Sequence, residues 1–294
     1  MTVVSLFPVL FAVLWATGFI GARLGMPYAE PMSFLALRFF LAFAILAILA
    51  LIAGARWPKG RDFVYSAIVG ALLHGAYLGG VFWAIDHGMP SGLAAMIVGL
   101  QPLLTALVAG RLLGETVAAR HWLGLVVGIT GLGMVLLPPL DVLGSGVTVL
   151  NIAVCGFSAV GATLGTIVQK RVATEADLRT GTCAQYVGAF IPCALYVAVY
   201  ESFEFDWTGE LILAMAWAVL VLSIGAIMLL MYLIRHGSVA RLSSLFFLVP
   251  AIAALIAWPW FGETLSLIQM AGMALCALAV ALVTRAGQRA ATKA

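Results

Sequence analysis

The sequence alternates between long apolar segments and short polar connections that contain Pro, Gly or charged residues. Ten apolar segments can be delimited, at residues 3–22, 32–54, 63–85, 91–113, 120–138, 146–169, 181–200, 209–234, 239–261 and 266–284. A helix needs about 20 mostly apolar residues to cross the hydrocarbon core of a bilayer, and these segments have that length. They lack the alternating pattern of a membrane β-barrel strand. The pattern therefore predicts ten transmembrane helices.

The composition supports the same fold class and excludes several others. Of the 294 residues, 64% are hydrophobic and 9% are charged, whereas a soluble domain carries about 25% charged residues. A net charge of +3 over this length provides no basic surface for nucleic acid. The four cysteines lie inside apolar segments and form no CxxC pair, so we interpret them as buried small hydrophobic residues. Neither a metal nor a cofactor is predicted.

The basic residues are distributed unequally between the two sets of connections. Thirteen Lys and Arg residues follow the even-numbered segments, counting the C-terminal tail, and only Arg23 follows an odd-numbered one. Connections rich in Lys and Arg stay on the cytoplasmic side of a membrane. We therefore expect a multi-pass protein of the bacterial inner (plasma) membrane with both termini in the cytoplasm.

An internal repeat divides the chain into two halves. Pro102 precedes a Gly-Glu-Thr tripeptide by twelve residues, Pro250 precedes a second copy by the same twelve, and the prolines lie 148 residues apart. Each half contains five segments, so the two copies are expected to have opposite orientations. We predict one five-helix repeat at 1–139, a second, inverted repeat at 146–285, and a short cytoplasmic tail at 286–294. Carriers that work by alternating access are built from such inverted repeats, with the site at the repeat interface.

Short motifs within this pattern resemble a known family. They are Leu-Trp-Ala-Thr-Gly-Phe at 14–19, Leu-Arg-Phe at 37–39, and the two Gly-Glu-Thr copies. Together they resemble the drug/metabolite transporter superfamily, in its ten-helix EamA-type branch, and within it the aromatic amino-acid exporters of the YddG type. The resemblance implies an all-α membrane transporter whose helices surround a central cavity. It implies a small-molecule substrate and a lipid bilayer as partners, and no enzymatic activity.

The acidic residues bear on how transport would be driven. All twelve Asp and Glu residues lie in connections or at segment ends. Ion-coupled carriers commonly use a carboxylate inside the membrane to bind H⁺ or Na⁺. Its absence favours an uncoupled facilitator. A proton-coupled drug or metabolite efflux pump is the alternative, and a lipid flippase is a less favoured one.

Several polar and aromatic residues inside the segments are candidates for the cavity wall. His74 is the one titratable group near the middle of the third segment; it could contact a ligand, or it could be satisfied by a neighbouring carbonyl. Trp15 could stack on a ligand ring or fill space. The residues that we predict to line the cavity are Trp15, His74, Tyr77, Leu78, Gln101, Ser158 and Ser244.

Other motif residues have predicted roles in the architecture. Pro102 and Pro250 each free a backbone carbonyl one turn earlier, so they either form a gate at the cavity or shape the packing. The interpretation of Arg38 that we favour is structural, with the side chain pairing with carbonyls or snorkelling outward; the functional alternative is that it holds a substrate carboxylate. Helix termination and capping are the roles we favour for the Gly-Glu-Thr residues Gly114, Glu115, Gly262 and Glu263.

The available side chains limit the class of substrate. Phosphorylated compounds need several buried cations, and the segments offer Arg38 alone. Organic cations need a carboxylate or an aromatic cage. We therefore predict export of small neutral or zwitterionic amphipathic metabolites, foremost aromatic and hydrophobic amino acids and methionine. The protein is expected to act as a monomer or weak dimer.

Overall fold

Ten helical elements make up most of the described chain. The computed structural model describes residues 6–89, 94, 97–113, 119–136, 147–172, 177–261 and 266–291. Within these ranges, each of the ten predicted segments contains a helix. The helices are α1 (Phe7–Gly25), α2 (Pro31–Ile52), α3 (Arg61–Asp86), α4 (Gln101–Leu113), α5 (Ala119–Leu136), α6 (Val149–Val172), α7 (Leu178–Tyr200), α8 (Gly209–His236), α9 (Val239–Ser244, Leu245–Phe247 and Leu248–Phe261) and α10 (Leu267–Ala291).

The lengths and surfaces of these helices suit a lipid environment. Among the described residues, α2, α3, α6, α7 and α8 are each long and apolar enough to cross a membrane. Shorter apolar stretches lie in α1, α5, α9 and α10. Large apolar side chains also face outward, and Ile52, Val149 and Leu267 are at least 80% exposed. Lipid solvates such a surface, whereas water would not. The predicted fold class, an all-α integral membrane protein, is confirmed.

Two of the helices contain a π-helical segment. In α3 it spans Ala71–Ala76, and in α8 it spans Trp217–Ala226. The two helices hold the third place in each half of the chain, and the π-helical segments occupy corresponding positions within them. A π-helical turn leaves the backbone wider than an α-helical turn and is frequent at functional sites. His74 lies in the first of these segments and Ser223 in the second.

Close packing between helices places α3 at the centre of one group. It packs against both α6 and α7, while α2 packs along α7, α5 along α10, and α1 against α8 and α9. The crossing of α3 and α7 requires glycine. A Cβ at Gly70 would lie 1.8 Å from the carbonyl oxygen of Gln185, and one at Gly188 would lie 1.9 Å from that of Ala67. Only residues without a Cβ allow two helix backbones to approach this closely.

At one end of the bundle, two connections are bound to each other. The Glu201 carboxylate accepts hydrogen bonds from the backbone nitrogens of Met32 (3.0 Å) and Ser33 (2.6 Å) and from the Ser33 hydroxyl (2.7 Å). In return, Glu30 accepts from the backbone nitrogen (2.8 Å) and hydroxyl (3.1 Å) of Ser202. The first turn of a helix has backbone N–H groups without intrahelical acceptors, and Glu201 supplies acceptors for α2. The α1–α2 connection is therefore fixed to the α7–α8 connection.

At the opposite end, a lysine holds the C-terminal end of α8. The Nζ atom of Lys170, in the last turn of α6, donates to three backbone carbonyls, at 2.9, 3.1 and 2.9 Å, those of Ile234, Arg235 and Gly237. On the same side, the Thr180 hydroxyl donates to the Arg56 carbonyl at 2.7 Å. Connections with the same predicted side thus lie together in the fold.

Candidate functional site

A small cavity lies where α1, α3, the residues before α4, and α9 meet. Its volume is about 30 Å³, which suits one or two water molecules, since a single water needs about 10–15 Å³. An amino acid therefore needs a wider opening than this conformation provides. The lining is mostly apolar and consists of Trp15, Tyr77, Val81, Ala94, Val98, Gly99, Phe246, Val249 and Pro250.

Aromatic rings form one wall of this cavity. The Trp15 and Tyr77 rings are parallel, with an interplanar angle of 2° and centroids 6.4 Å apart. Phe246 meets Trp15 edge to face at 5.6 Å, and Phe11 lies behind Trp15 at 5.3 Å. Rings in such arrangements present flat apolar faces and polar edges to a neighbouring group. The aromatic wall, defined as Trp15, Tyr77 and Phe246, can hold a planar apolar side chain.

His74 lies one turn before Tyr77 and faces a different group of residues. Its Nε2 atom is 3.3 Å from Oε1 of Gln185, and its ring lies 5.5 Å from the Tyr186 ring and 6.3 Å from the Phe39 ring. The side chain is 1% exposed, and its Nδ1 atom has no hydrogen-bond partner in the described part of the chain. His74 therefore contacts α2 and α7 and is not part of the cavity lining.

His74 belongs to a buried polar cluster between α2, α3, α6, α7 and α8. Gln185 Nε2 donates to Gln169 Oε1 at 2.8 Å, and the Tyr186 hydroxyl donates to the Ser223 carbonyl. Arg38 Nε donates to the Ser223 hydroxyl at 2.8 Å. We use the name polar cluster for these side chains: Arg38, His74, Gln169, Gln185, Tyr186 and Ser223.

The remaining predicted cavity residues are spread over the fold. Ser158 is buried, and its hydroxyl donates to the Val154 carbonyl at 3.0 Å. Gln101 and Ser244 are buried at helix breaks, and Leu78 is half-buried against the main core. Their part in binding stays a prediction.

Each of the two predicted helix-break prolines, Pro102 and Pro250, follows an irregular turn. Pro102 comes after the turn at Gly99 and Leu100, and Pro250 comes after the 3-10 turn Leu245–Phe247. Proline has no backbone N–H and its ring clashes with the carbonyl of residue i−4, so an undisturbed α-helix cannot continue there. Both breaks contribute to the cavity, the first through Gly99 and the second through Pro250 itself. The tripeptide residues Gly114, Glu115, Gly262 and Glu263 lie outside the described residues.

Sequence reasoning did not identify part of what the structure brings together. In the cavity lining, the residues not predicted are Val81, Ala94, Val98, Gly99, Phe246 and Val249. In the polar cluster, Gln169, Tyr186 and Ser223 were not predicted. The available signal for these three was a polar side chain inside an apolar segment, because such residues are costly in lipid unless they find partners.

The fold and the cavity define a polytopic membrane protein with a candidate binding site between its helices, and comparisons with known proteins give its class. The EamA-like transporter family model matches twice, at residues 3–137 and 150–285. The chain belongs to the EamA-like transporter family of the drug/metabolite transporter superfamily. It is a membrane transporter, not an enzyme, and the family has a ten-helix fold with repeats.

Individual relatives agree with this assignment. The chain is 28% identical to the "Uncharacterized inner membrane transporter YedA" of Escherichia coli K12, over 95% of this chain and 90% of that protein. It is 26% identical to a "Probable terminal-alkyne amino-acid exporter" of Streptantibioticus cattleyicolor, over 94% and 92% of the two chains. A solved crystal structure superposes with a TM-score of 0.80 over 97% of both chains at 19% identity, which shows the fold alone.

Proposed function

We propose that this transporter exports small neutral or zwitterionic amphipathic metabolites, foremost aromatic and hydrophobic amino acids and methionine. The observation that carries the proposal is the aromatic wall beside the cavity, which offers ring faces to an apolar side chain. The relative named as a probable terminal-alkyne amino-acid exporter supports the same substrate class. The transporter would act as a monomer or weak dimer in a bacterial inner membrane, and its substrate would be a small molecule.

The proposed mechanism is alternating access between two inverted halves, 1–139 and 146–285, with both termini in the cytoplasm. Corresponding π-helical segments in α3 and α8 support a repeat of this kind. The grouping of connections at the two ends of the bundle supports the alternation of sides. Single cysteines introduced at each terminus should react with an impermeant reagent only after the membrane is opened.

We further propose that transport is uncoupled. Among the described residues, every carboxylate lies at a helix end or in a connection; these residues are Glu30, Asp62, Asp86, Asp177, Glu201, Glu204, Asp206 and Glu210. A carrier without an intramembrane carboxylate lacks the usual binding group for H⁺ or Na⁺. Phenylalanine flux in proteoliposomes should therefore follow the phenylalanine gradient and respond little to an imposed pH gradient. A steep response would favour the proton-coupled alternative, and phospholipid movement without solute flux would favour a flippase.

The substrate class is tested by replacing one ring of the aromatic wall. Cells that overproduce the wild-type protein should resist toxic aromatic amino-acid analogues, and Trp15→Ala should remove that resistance while the protein still reaches the membrane. Trp207→Ala is the matched control, because Trp207 is 60% exposed in the α7–α8 connection. Equal resistance with Trp15→Ala and with wild type would contradict the proposed site.

A further inference from the structure

Arg38 is a positive charge buried in the membrane-spanning part of the fold. It lies in α2, seven residues after the helix begins at Pro31, and is 7% exposed. That places it about 10 Å inside the helix, at a rise of about 1.5 Å per residue. A charge at this depth is costly unless it is paired, and intramembrane ionisable residues usually mark a functional site.

The partners of Arg38 are neutral. Its Nε atom donates to the Ser223 hydroxyl at 2.8 Å, and its guanidinium carbon lies 6.0 Å from the centre of the Phe39 ring. In the described part of the chain, no carboxylate pairs with it, and neither terminal nitrogen makes a hydrogen bond. The protein thus supplies one hydroxyl to a group with five N–H donors.

Lys170 shows how the same chain satisfies a cation that has a structural role. Its Nζ atom has three N–H donors and contacts three carbonyl oxygens, all between 2.9 and 3.1 Å. Arg38 differs because it has five N–H donors and the protein supplies one acceptor, the Ser223 hydroxyl. The side that lacks acceptors is the pair of terminal nitrogens, Nη1 and Nη2, which form the end-on fork that matches the two oxygens of a carboxylate.

The position of Arg38 connects it to the cavity by two routes. Its acceptor Ser223 follows Leu222, and a Cβ at Gly18, one turn after Trp15, would lie 3.4 Å from Leu222 Cδ1. Phe39, the next residue in α2, contacts His74, which is one turn before Tyr77. Arg38 is therefore linked to Trp15 and Tyr77 of the aromatic wall through intermediate residues on α1, α3 and α8 and does not itself line the cavity.

We propose that Arg38, oriented by Ser223, binds the carboxylate of the transported molecule while its apolar side chain lies against the aromatic wall. The inference rests on the proposed function for the identity of the cargo as an amino acid. It adds the recognised group, a carboxylate, and the residue that recognises it. Ser223 is a positioning residue in this arrangement, because it holds Nε and leaves Nη1 and Nη2 for the ligand.

The experiment measures which chemical group of the ligand Arg38 recognises. Counterflow of radiolabelled phenylalanine in proteoliposomes is inhibited with 3-phenylpropionate, which keeps the carboxylate, and with phenethylamine, which keeps the amine. In wild type, 3-phenylpropionate should inhibit much more strongly. In Arg38→Gln its inhibition should weaken about 10- to 100-fold, the effect of losing a charge-assisted hydrogen bond. Inhibition by phenethylamine should stay the same.

Controls and further variants separate binding from folding. Arg61→Gln removes an exposed Arg at the start of α3 and should leave the competition unchanged. Arg38→Lys keeps the charge without the fork, and Ser223→Ala releases Nε. Both should therefore weaken inhibition by 3-phenylpropionate less than Arg38→Gln does. If Arg38→Gln does not fold, these two variants carry the test. An unchanged preference in every variant that folds would overturn the proposal.

A second readout separates this inference from the proposed function. Absence of phenylalanine flux in wild type would contradict amino-acid export, and ligand-induced thermal stabilisation of the purified protein then tests the carboxylate site alone. Stabilisation by 3-phenylpropionate that is lost in Arg38→Gln would support the site without amino-acid transport. Equal stabilisation by both ligands, or stabilisation by neither, would overturn it.

Discussion

The crossing of α3 and α7 gives the sharpest stability prediction. In Gly70→Ala, the new Cβ would lie 1.8 Å from the Gln185 carbonyl oxygen, so the backbones must separate by about 1.6 Å to reach an ordinary contact of 3.4 Å. Overpacking of a helix interface costs about 1–3 kcal/mol. We expect about 3 kcal/mol here, because the obstructing atom belongs to the backbone and cannot rotate away.

The measurement is thermal unfolding of the detergent-solubilised protein. A loss of about 3 kcal/mol lowers the midpoint by about 6–12 °C at about 2–4 °C per kcal/mol. Gly156→Ala is the matched control, because a Cβ there meets no described atom within 4 Å and alanine favours the helix by about 1 kcal/mol. Equal midpoints for Gly70→Ala and Gly156→Ala would refute the packing argument.

Three further predictions concern polar contacts at helix ends. Glu201→Ala should lower stability by about 1–2 kcal/mol, because the first turn of α2 loses its acceptors; an unchanged thermal midpoint would contradict this. Lys170→Met should lower stability by about 2–3 kcal/mol, because three carbonyls lose a charged donor, and Lys170→Arg should restore part of that stability. Equal thermal midpoints for the two variants would argue against a stabilising role of the Lys170 hydrogen bonds. Hydrogen bonds from Arg179 lower the pKa of the Asp177 carboxyl, so its stabilisation is present above the ordinary Asp pKa of about 3.9 and is lost as the pH falls through the lower folded value. This stabilisation is under about 1 kcal/mol because the pair is partly exposed. Thermal midpoints measured against pH should show it in wild type and not in Asp177→Asn. An identical pH profile for the two proteins would exclude it.

The helices were predictable because the bilayer sets their length and the connections interrupt them. The segment predicted at 32–54 corresponds to Pro31–Ile52, and the one predicted at 209–234 to Gly209–His236. The start of α7 was predicted three residues late, because Asp177 caps the helix with its side chain and so extends it to Leu178. Capping of this kind depends on one hydrogen bond and is not visible in hydropathy.

The faces of the helices were harder to predict than their ends. A helix that is apolar all round gives no stripe to indicate which side is buried. His74 and Tyr77 are close in sequence, yet they face different groups because a π-helical segment changes the angular spacing between them. The contacts of Gln185 and Tyr186 arise only when α7 packs against α3 and α8. Trp15 was proposed because it lies in the motif at 14–19 that resembles the family, whereas Tyr77 was proposed because it lies three residues after His74.

The π-helical segments of α3 and α8 also bear on how these spans can move. Each turn of this kind holds a residue more than an α-helical turn would. If the surplus residue moved along the helix, the residues that it passed would rotate by about 100° and shift by about 1.5 Å, the step of one α-helical residue. Tyr77 in α3 and Ser223 in α8 would then each contact a different set of residues, while nearly all backbone hydrogen bonds were kept. In lipid, where a lost hydrogen bond has no water to replace it, such a register shift lets a span rearrange without unwinding.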